Sequence, residues 1–147
     1  MTDTVVVLRV HEHLLSLPFA HVDEILGPDR VVTYSELPEG IALDGSPYSL
    51  WVSSRGQWLP VKKLFSDQEM NEKSQILVVA SAGAKQAFMV DQVIGIEKTK
   101  LLAAFPRVAE PFTDIPFTGV RFLKDRPVLE LDLSRLISLD IRGDKVE

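Results

Sequence analysis

The sequence predicts a mainly β (all-β class) protein: two small closed sheets packed against each other, with one short helix near the C-terminal end. Three observations carry this. Short β-branched and apolar runs alternate with turn-forming residues along most of the chain. The second half repeats the pattern of the first at an offset of about 70 residues. Finally, the 147 residues include no cysteine, so neither half has disulfides or thiolate metal ligands to hold it. A domain near 60 residues buries only about 60% of its unfolded surface, against about 70% near 150. The halves are therefore expected to pack together, and small antiparallel sheets hide their edges by closing into barrels.

The elements follow in order. Residues 5–10 are β-branched, His11-Glu12-His13 breaks the run, and residues 14–19 complete a hairpin. Residues 30–33, 48–53 and 57–61 give three more short strands. The polar stretch 66–74 reads as the connection between halves. Residues 75–81 and 86–90 flank Ala82-Gly83-Ala84-Lys85 as a second hairpin, and 93–99 continue in strand character. Pro106, Pro111 and Pro116 make 100–118 a long irregular loop. Residues 119–123 and 127–131 flank Lys124-Asp125-Arg126 as a third hairpin. Residues 132–137 are helical, with Asp132 as cap and Leu133, Leu136 and Ile137 on one face, and a charged tail starts at Ser138.

The repeat is visible residue by residue. Shifted by 71, residues 16–25 lie over 87–96; shifted by 69, residues 55–64 lie over 124–133. Each half becomes a set of about five short strands, with approximate subdomains at 14–66 (completed by residues from one terminus) and 75–137 within a single domain spanning 1–147. Two packed barrels leave a groove between them, and that groove is the expected binding site.

Composition narrows the function. With 46% hydrophobic and 25% charged residues the chain is an ordinary globular one, and no run reaches the roughly 18–20 apolar residues of a membrane span. Met1-Thr2-Asp3-Thr4 lacks the basic and apolar start of a signal peptide, so cytoplasmic residence without direct membrane insertion is expected. A net charge of -5 argues against nucleic acid. No nucleophile elbow, phosphate loop, dinucleotide fingerprint or zinc-protease motif is present, which predicts no catalytic residues and no cofactor. His11 and His13 at strand spacing, with His21 the only other histidine, fall short of the three or four ligands zinc takes, so no metal is expected. Asp23 and Glu24 are strand neighbours and face opposite ways, unlike an acid–base pair. Trp51 and Trp58 bracket Arg55 and read as core or interface packing.

Two segments point to protein contacts. Arg55-Gly56 between apolar strands is either a hairpin turn with a solvated arginine or an arginine held at the groove mouth to pair with a partner's carboxylate or backbone carbonyls. In residues 20–26, alternation sets Val22 and Glu24 on one face and Asp23 and Ile25 on the other; Val22 is either core or contact.

At these residues the sequence resembles the CheW-like domain family of bacterial chemotaxis. The resemblance rests on Leu17-Pro18-Phe19, Val22-Asp23-Glu24-Ile25, Arg55-Gly56, Pro60-Val61-Lys62-Lys63-Leu64 and Ile76-Leu77-Val78-Val79, then Val90-Asp91-Gln92-Val93-Ile94-Gly95-Ile96, Gly119 and the run 125–133, in that order over residues 5–137. It implies two packed five-stranded SH3-like β-barrels. It also implies a non-enzymatic adaptor joining the cytoplasmic tips of methyl-accepting chemotaxis receptors to the regulatory domain of a CheA-type histidine kinase. Receptor binding would then fall to Val22, Glu24 and Arg55, with Gly56 shaping the turn; the kinase surface is assigned to no residue. The sequence departs from the family's pattern at Leu50 (a glycine place), Lys63 (an aspartate place), Ser53-Ser54 and the longer 42–47 loop. These departures bear on partner choice and leave open a divergent scaffold in a non-flagellar pathway without kinase coupling. The length predicts a stand-alone adaptor rather than a kinase or a receiver fusion. Two readings from other classes stand beside it: a metal-dependent enzyme at His11 and His13, and a solitary SH3-like module binding Pro-rich peptides through Trp51 or Trp58.

Overall fold

The computed structural model describes residues 2–41, 48–81, 83–101, 103–104 and 117–138. The 42–47 loop, the three spaced prolines and the tail beyond Ser138 lie outside these. The described strands are β1 (Asp3–Val10), β2 (His13–Pro18), β3 (Val22–Leu26), β4 (Val31–Thr33), β5 (Leu50–Ser54), β6 (Gln57–Lys63), β7 (Gln75–Ser81), β8 (Ala84–Val90), β9 (Gln92–Thr99), β10 (Ala103–Ala104), β11 (Phe117–Leu123) and β12 (Arg126–Leu131); helix α1 (Leu133–Ser138) follows. Asp132 caps that helix as its sequence predicts, accepting the Arg135 N–H on its side chain at 3.2 Å.

The strands form two curled sheets, ordered β10-β11-β12-β2-β1-β9 and β3-β7-β8-β6-β5-β4. Each holds the five strands expected of a barrel plus a short edge strand, β4 or β10. The half-chain repeat accounts for the orders: replacing each of β1–β6 by the strand six places on turns one sheet into the other. The match extends to register. Gly95 pairs with Val7 just as Glu24 pairs with Val78, and a bulge follows at the same place, at Ile94 and at Asp23. Both sheets also contain one parallel pair, β12 with β2 and β6 with β8.

Sheet membership does not follow the sequence division at 14–66 and 75–137. β2 lies in the first of those units yet pairs with β12, while β7 and β8 lie in the second yet pair with β3 and β6. Each half thus lends its leading hairpin to the barrel of the other. The connections make this possible: the chain crosses between sheets through the 3-10 turn Phe19–His21 after β2, and through Asp91 alone after β8.

Three cores result. Val5 and Val7 of β1 point into one barrel beside Val128; Ile76 and Val78 of β7 point into the other beside Val52, Leu59 and Met89. The alternate residues Val6 and Leu8, with Leu77 and Val79, meet in a shared core that also takes Leu15, Leu17, Phe88, Val90 and Leu133. Both faces of β1 and β7 are therefore buried, which is why each reads as an unbroken apolar run. The polar connection 66–74 behaves as expected except at Gln68 and Ser74, both buried; the Gln68 side chain ties the residues after β6 to β8, accepting from Leu64 and Phe65 N–H and donating to the Met89 carbonyl at 2.8 Å.

Candidate protein-docking site

β3 and β5 are far apart in the sheet order, so hydrogen bonds between them close the barrel. Two sets do so. Ser54, fully buried at the end of β5, donates its hydroxyl to the Glu24 carboxylate at 2.6 Å. Beside it, Arg55 donates from Nε to the Asp23 carboxylate at 3.1 Å and from its terminal nitrogen to the Asp23 carbonyl at 3.2 Å. Lys85, at the start of β8, reaches the same Asp23 oxygen at 3.2 Å. The Lys85 ammonium, and after it the Arg55 guanidinium, hold the Asp23 carboxyl below its usual range. Three elements thus converge on one carboxylate at the barrel rim.

Backbone geometry presents Arg55. The β5–β6 connection is a two-residue turn in which Arg55 and Gly56 both have left-handed φ, 51° and 83°. Such primed turns suit the strand twist, and glycine takes the second position without strain. Arg55 is salt-bridged yet 62% exposed, so a partner can still reach it.

The predicted site residues come together in part. Glu24, Arg55 and Gly56 share this rim. Val22 is half-buried: it packs on the shared core and keeps part of its surface exposed. The bulge at Asp23 interrupts the expected alternation of residues 22–25; Asp23 turns to Arg55 and Lys85, and Ile25 is exposed. Sequence reading missed Lys85, whose only signal was its place just past the Gly83 turn, and undervalued Asp23.

The other candidates are engaged elsewhere. His11 contacts Asp67 at 2.9 Å, and His11 and His13 both lie against the Phe65 ring. His21 contacts the Ala80 carbonyl. No group of three His, Cys, Asp or Glu side chains able to hold a metal ion occurs among the described residues. Trp51 is buried and donates its indole N–H to the Tyr48 carbonyl at 3.1 Å, while Trp58 is half-buried on β6. Leu50 packs half-buried on the barrel interior and Lys63 is exposed.

The duplicated counterpart of this rim has another chemistry. Where the first barrel carries Asp23, Ile25 and Ser53, the second carries Ile94, Ile96 and Phe122, all exposed. At these three places the second rim is apolar where the first has a carboxylate and a hydroxyl, although its turn keeps the exposed, charged Lys124 and Asp125 at the counterparts of Arg55 and Gly56.

Among known proteins, the family model described as CheW-like domain matches residues 4–140. The crystal structure of the scaffolding protein TtCheW from Thermoanaerobacter tengcongensis superposes with a TM-score of 0.65, 18% sequence identity and 90% of each chain covered. At that identity the likeness is one of fold. No curated protein matches the chain in sequence.

Proposed function

The chain belongs to the CheW-like domain family, a family of chemotaxis scaffolds without catalysis, and from that premise we propose that it couples methyl-accepting chemotaxis receptors to a CheA-type histidine kinase. The observation that carries the reading is the salt-bridged yet exposed Arg55 on a fixed turn at the rim closed by Asp23 and Glu24. A guanidinium so placed offers a planar fork to carboxylates and backbone carbonyls of a docked helical tip. An apolar side chain of the tip would bury beside Ile25 and the edge of β3, worth about 1.5–3 kcal/mol for one anchor. A single receptor contact of this kind is weak, and repetition across an array supplies the affinity.

The difference between the two rims supports two unlike partners on one scaffold. Ile94, Ile96 and Phe122 are each exposed where the first barrel has Asp23, Ile25 and Ser53, and a partner of that rim would meet apolar side chains. Among the described residues no helix is long and apolar enough to cross a membrane, so the scaffold would reach the receptor array by protein contacts.

Co-sedimentation of receptor-tip fragments displayed on vesicles, a CheA-type kinase and this chain tests the proposal. The kinase should pellet with the tips only when the chain is present. If the chain pellets with neither protein, or the kinase pellets equally well without it, the proposal fails.

A further inference from the structure

The two barrels share one pairing plan and have opposite interiors. In the barrel of β9 to β12, the buried guanidinium of Arg121 is held by Glu130 through Nε, by Asp3 at 3.1 Å and by the Thr99 carbonyl at 3.1 Å. Ser16 on β2 donates its hydroxyl to the same Glu130 carboxylate at 3.3 Å. At the counterpart positions of the other barrel stand Val52 for Arg121, Val61 for Glu130 and Ala87 for Ser16, all buried in an apolar core. Ser74 stands for Asp3. Two members of the polar network, Asp3 and Ser16, arrive on the lent hairpin; Arg121, Glu130 and Thr99 belong to the host strands.

We propose that this network sorts the hairpins, so that β1–β2 rather than β7–β8 completes the barrel of β9 to β12. The need arises from the duplication. The two hairpins have strands of similar length, β1 and β7 are apolar on both faces, and either hairpin could add through the same parallel junction. Length and apolar pattern therefore do not tell the two hairpins apart. The β1–β2 hairpin brings Arg121 a carboxylate and Glu130 a hydroxyl. The β7–β8 hairpin would bring a neutral Ser74 and an Ala87 methyl, leaving Arg121 and Glu130 paired with each other but without the Asp3 carboxylate and the Ser16 hydroxyl. In the reverse error Ser16 would lie buried against Val61 without an acceptor. A buried ion pair adds little net stability over apolar side chains of its volume, whereas a buried polar group left without a partner is costly. The weight of the network therefore falls on wrong pairings more than on the right one.

Refolding tests this on the full chain. Asp3→Ala/Ser16→Ala removes the hairpin's share of the network, and Arg121→Met/Glu130→Leu makes the host interior apolar. Val128→Ala, in the same barrel core, is the control for lost stability alone. Each protein is unfolded in urea, diluted to refold, and followed by size exclusion and by its amide resonance spectrum. The wild type and Val128→Ala should each return as one species with one resonance per amide. The network variants should show a second set of resonances or an added oligomeric fraction, at about one tenth of the chains or more. A single wild-type-like species from both network variants overturns the proposal, as it does from Asp3→Ala/Ser16→Ala alone where the apolar variant does not fold. A second species in the Val128→Ala control also overturns it, since instability would then be sufficient.

Discussion

Replacing Gly56 by alanine, and in parallel Asp125 by glycine, probes the turn that presents Arg55 against its own duplicate. Gly56 has φ 83°, and its counterpart Asp125 has φ 68°, so one backbone shape carries two residue types. An L residue in the left-handed region costs about 1–2 kcal/mol. A Cβ on Gly56 would meet nothing within 4 Å, which adds no steric cost. Alanine also restricts the unfolded chain, returning about 0.4–1 kcal/mol. The net loss for Gly56→Ala is about 1 kcal/mol, a fall of about 2–4 °C in Tm for a domain of this size. Asp125→Gly exchanges the same quantities with opposite sign, reduced because aspartate tolerates this region better than alanine; its Tm should stay level or rise by up to about 2 °C. Scanning calorimetry of the two variants and the wild type reads both. An unchanged or raised Tm for Gly56→Ala, or a fall for Asp125→Gly as large as that of Gly56→Ala, refutes the reasoning.

Arg55→Ala should lose co-sedimentation with receptor tips while its melting curve stays near wild type, because the side chain is mostly exposed; retained binding would move the docking site elsewhere. Val22→Asp, by contrast, sets a carboxylate on the shared core and should lower Tm clearly, so lost binding in that variant would report unfolding rather than a missing contact. Leu8→Ala empties a fully buried position of the shared core and should cost about 2–5 kcal/mol in chemical denaturation. The depressed Asp23 carboxyl contributes stability above its unfolded value of 3.8, and that contribution disappears as pH falls through the lower folded value. Wild type and Asp23→Asn should therefore differ in stability at pH 6 and converge in strong acid; a gap that widens toward acid would contradict the Lys85 and Arg55 pairing.

Much of the fold was legible because it is written in local chemistry. The hairpins, the connection at 66–74, the Asp132 cap and the Arg55-Gly56 turn follow from β-branched runs, turn residues and a capping carboxylate. The repeat at 71 and 69 gave the duplication. It could not give the exchange of hairpins, because two copies with the same pattern fit either host equally well, and what distinguishes them is five polar groups far apart in sequence. The bulge at Asp23 was hidden for a related reason: one extra residue in an edge strand leaves no mark on composition, and strict alternation then misplaces the carboxylate. Lys85 joined the rim through a strand pairing that crosses the halves. β10 was missed within a segment rich in proline, where two alanines carry no strand signal.

Because β1 and β7 bury their second faces in one common core, neither barrel can come apart without baring the apolar side of its neighbour. Melting one strips the covering from that core, and the two rims are expected to vanish in a single event. Under the proposed coupling, partial collapse would then leave no member gripping one partner after releasing the other, and an array would hold whole links or none.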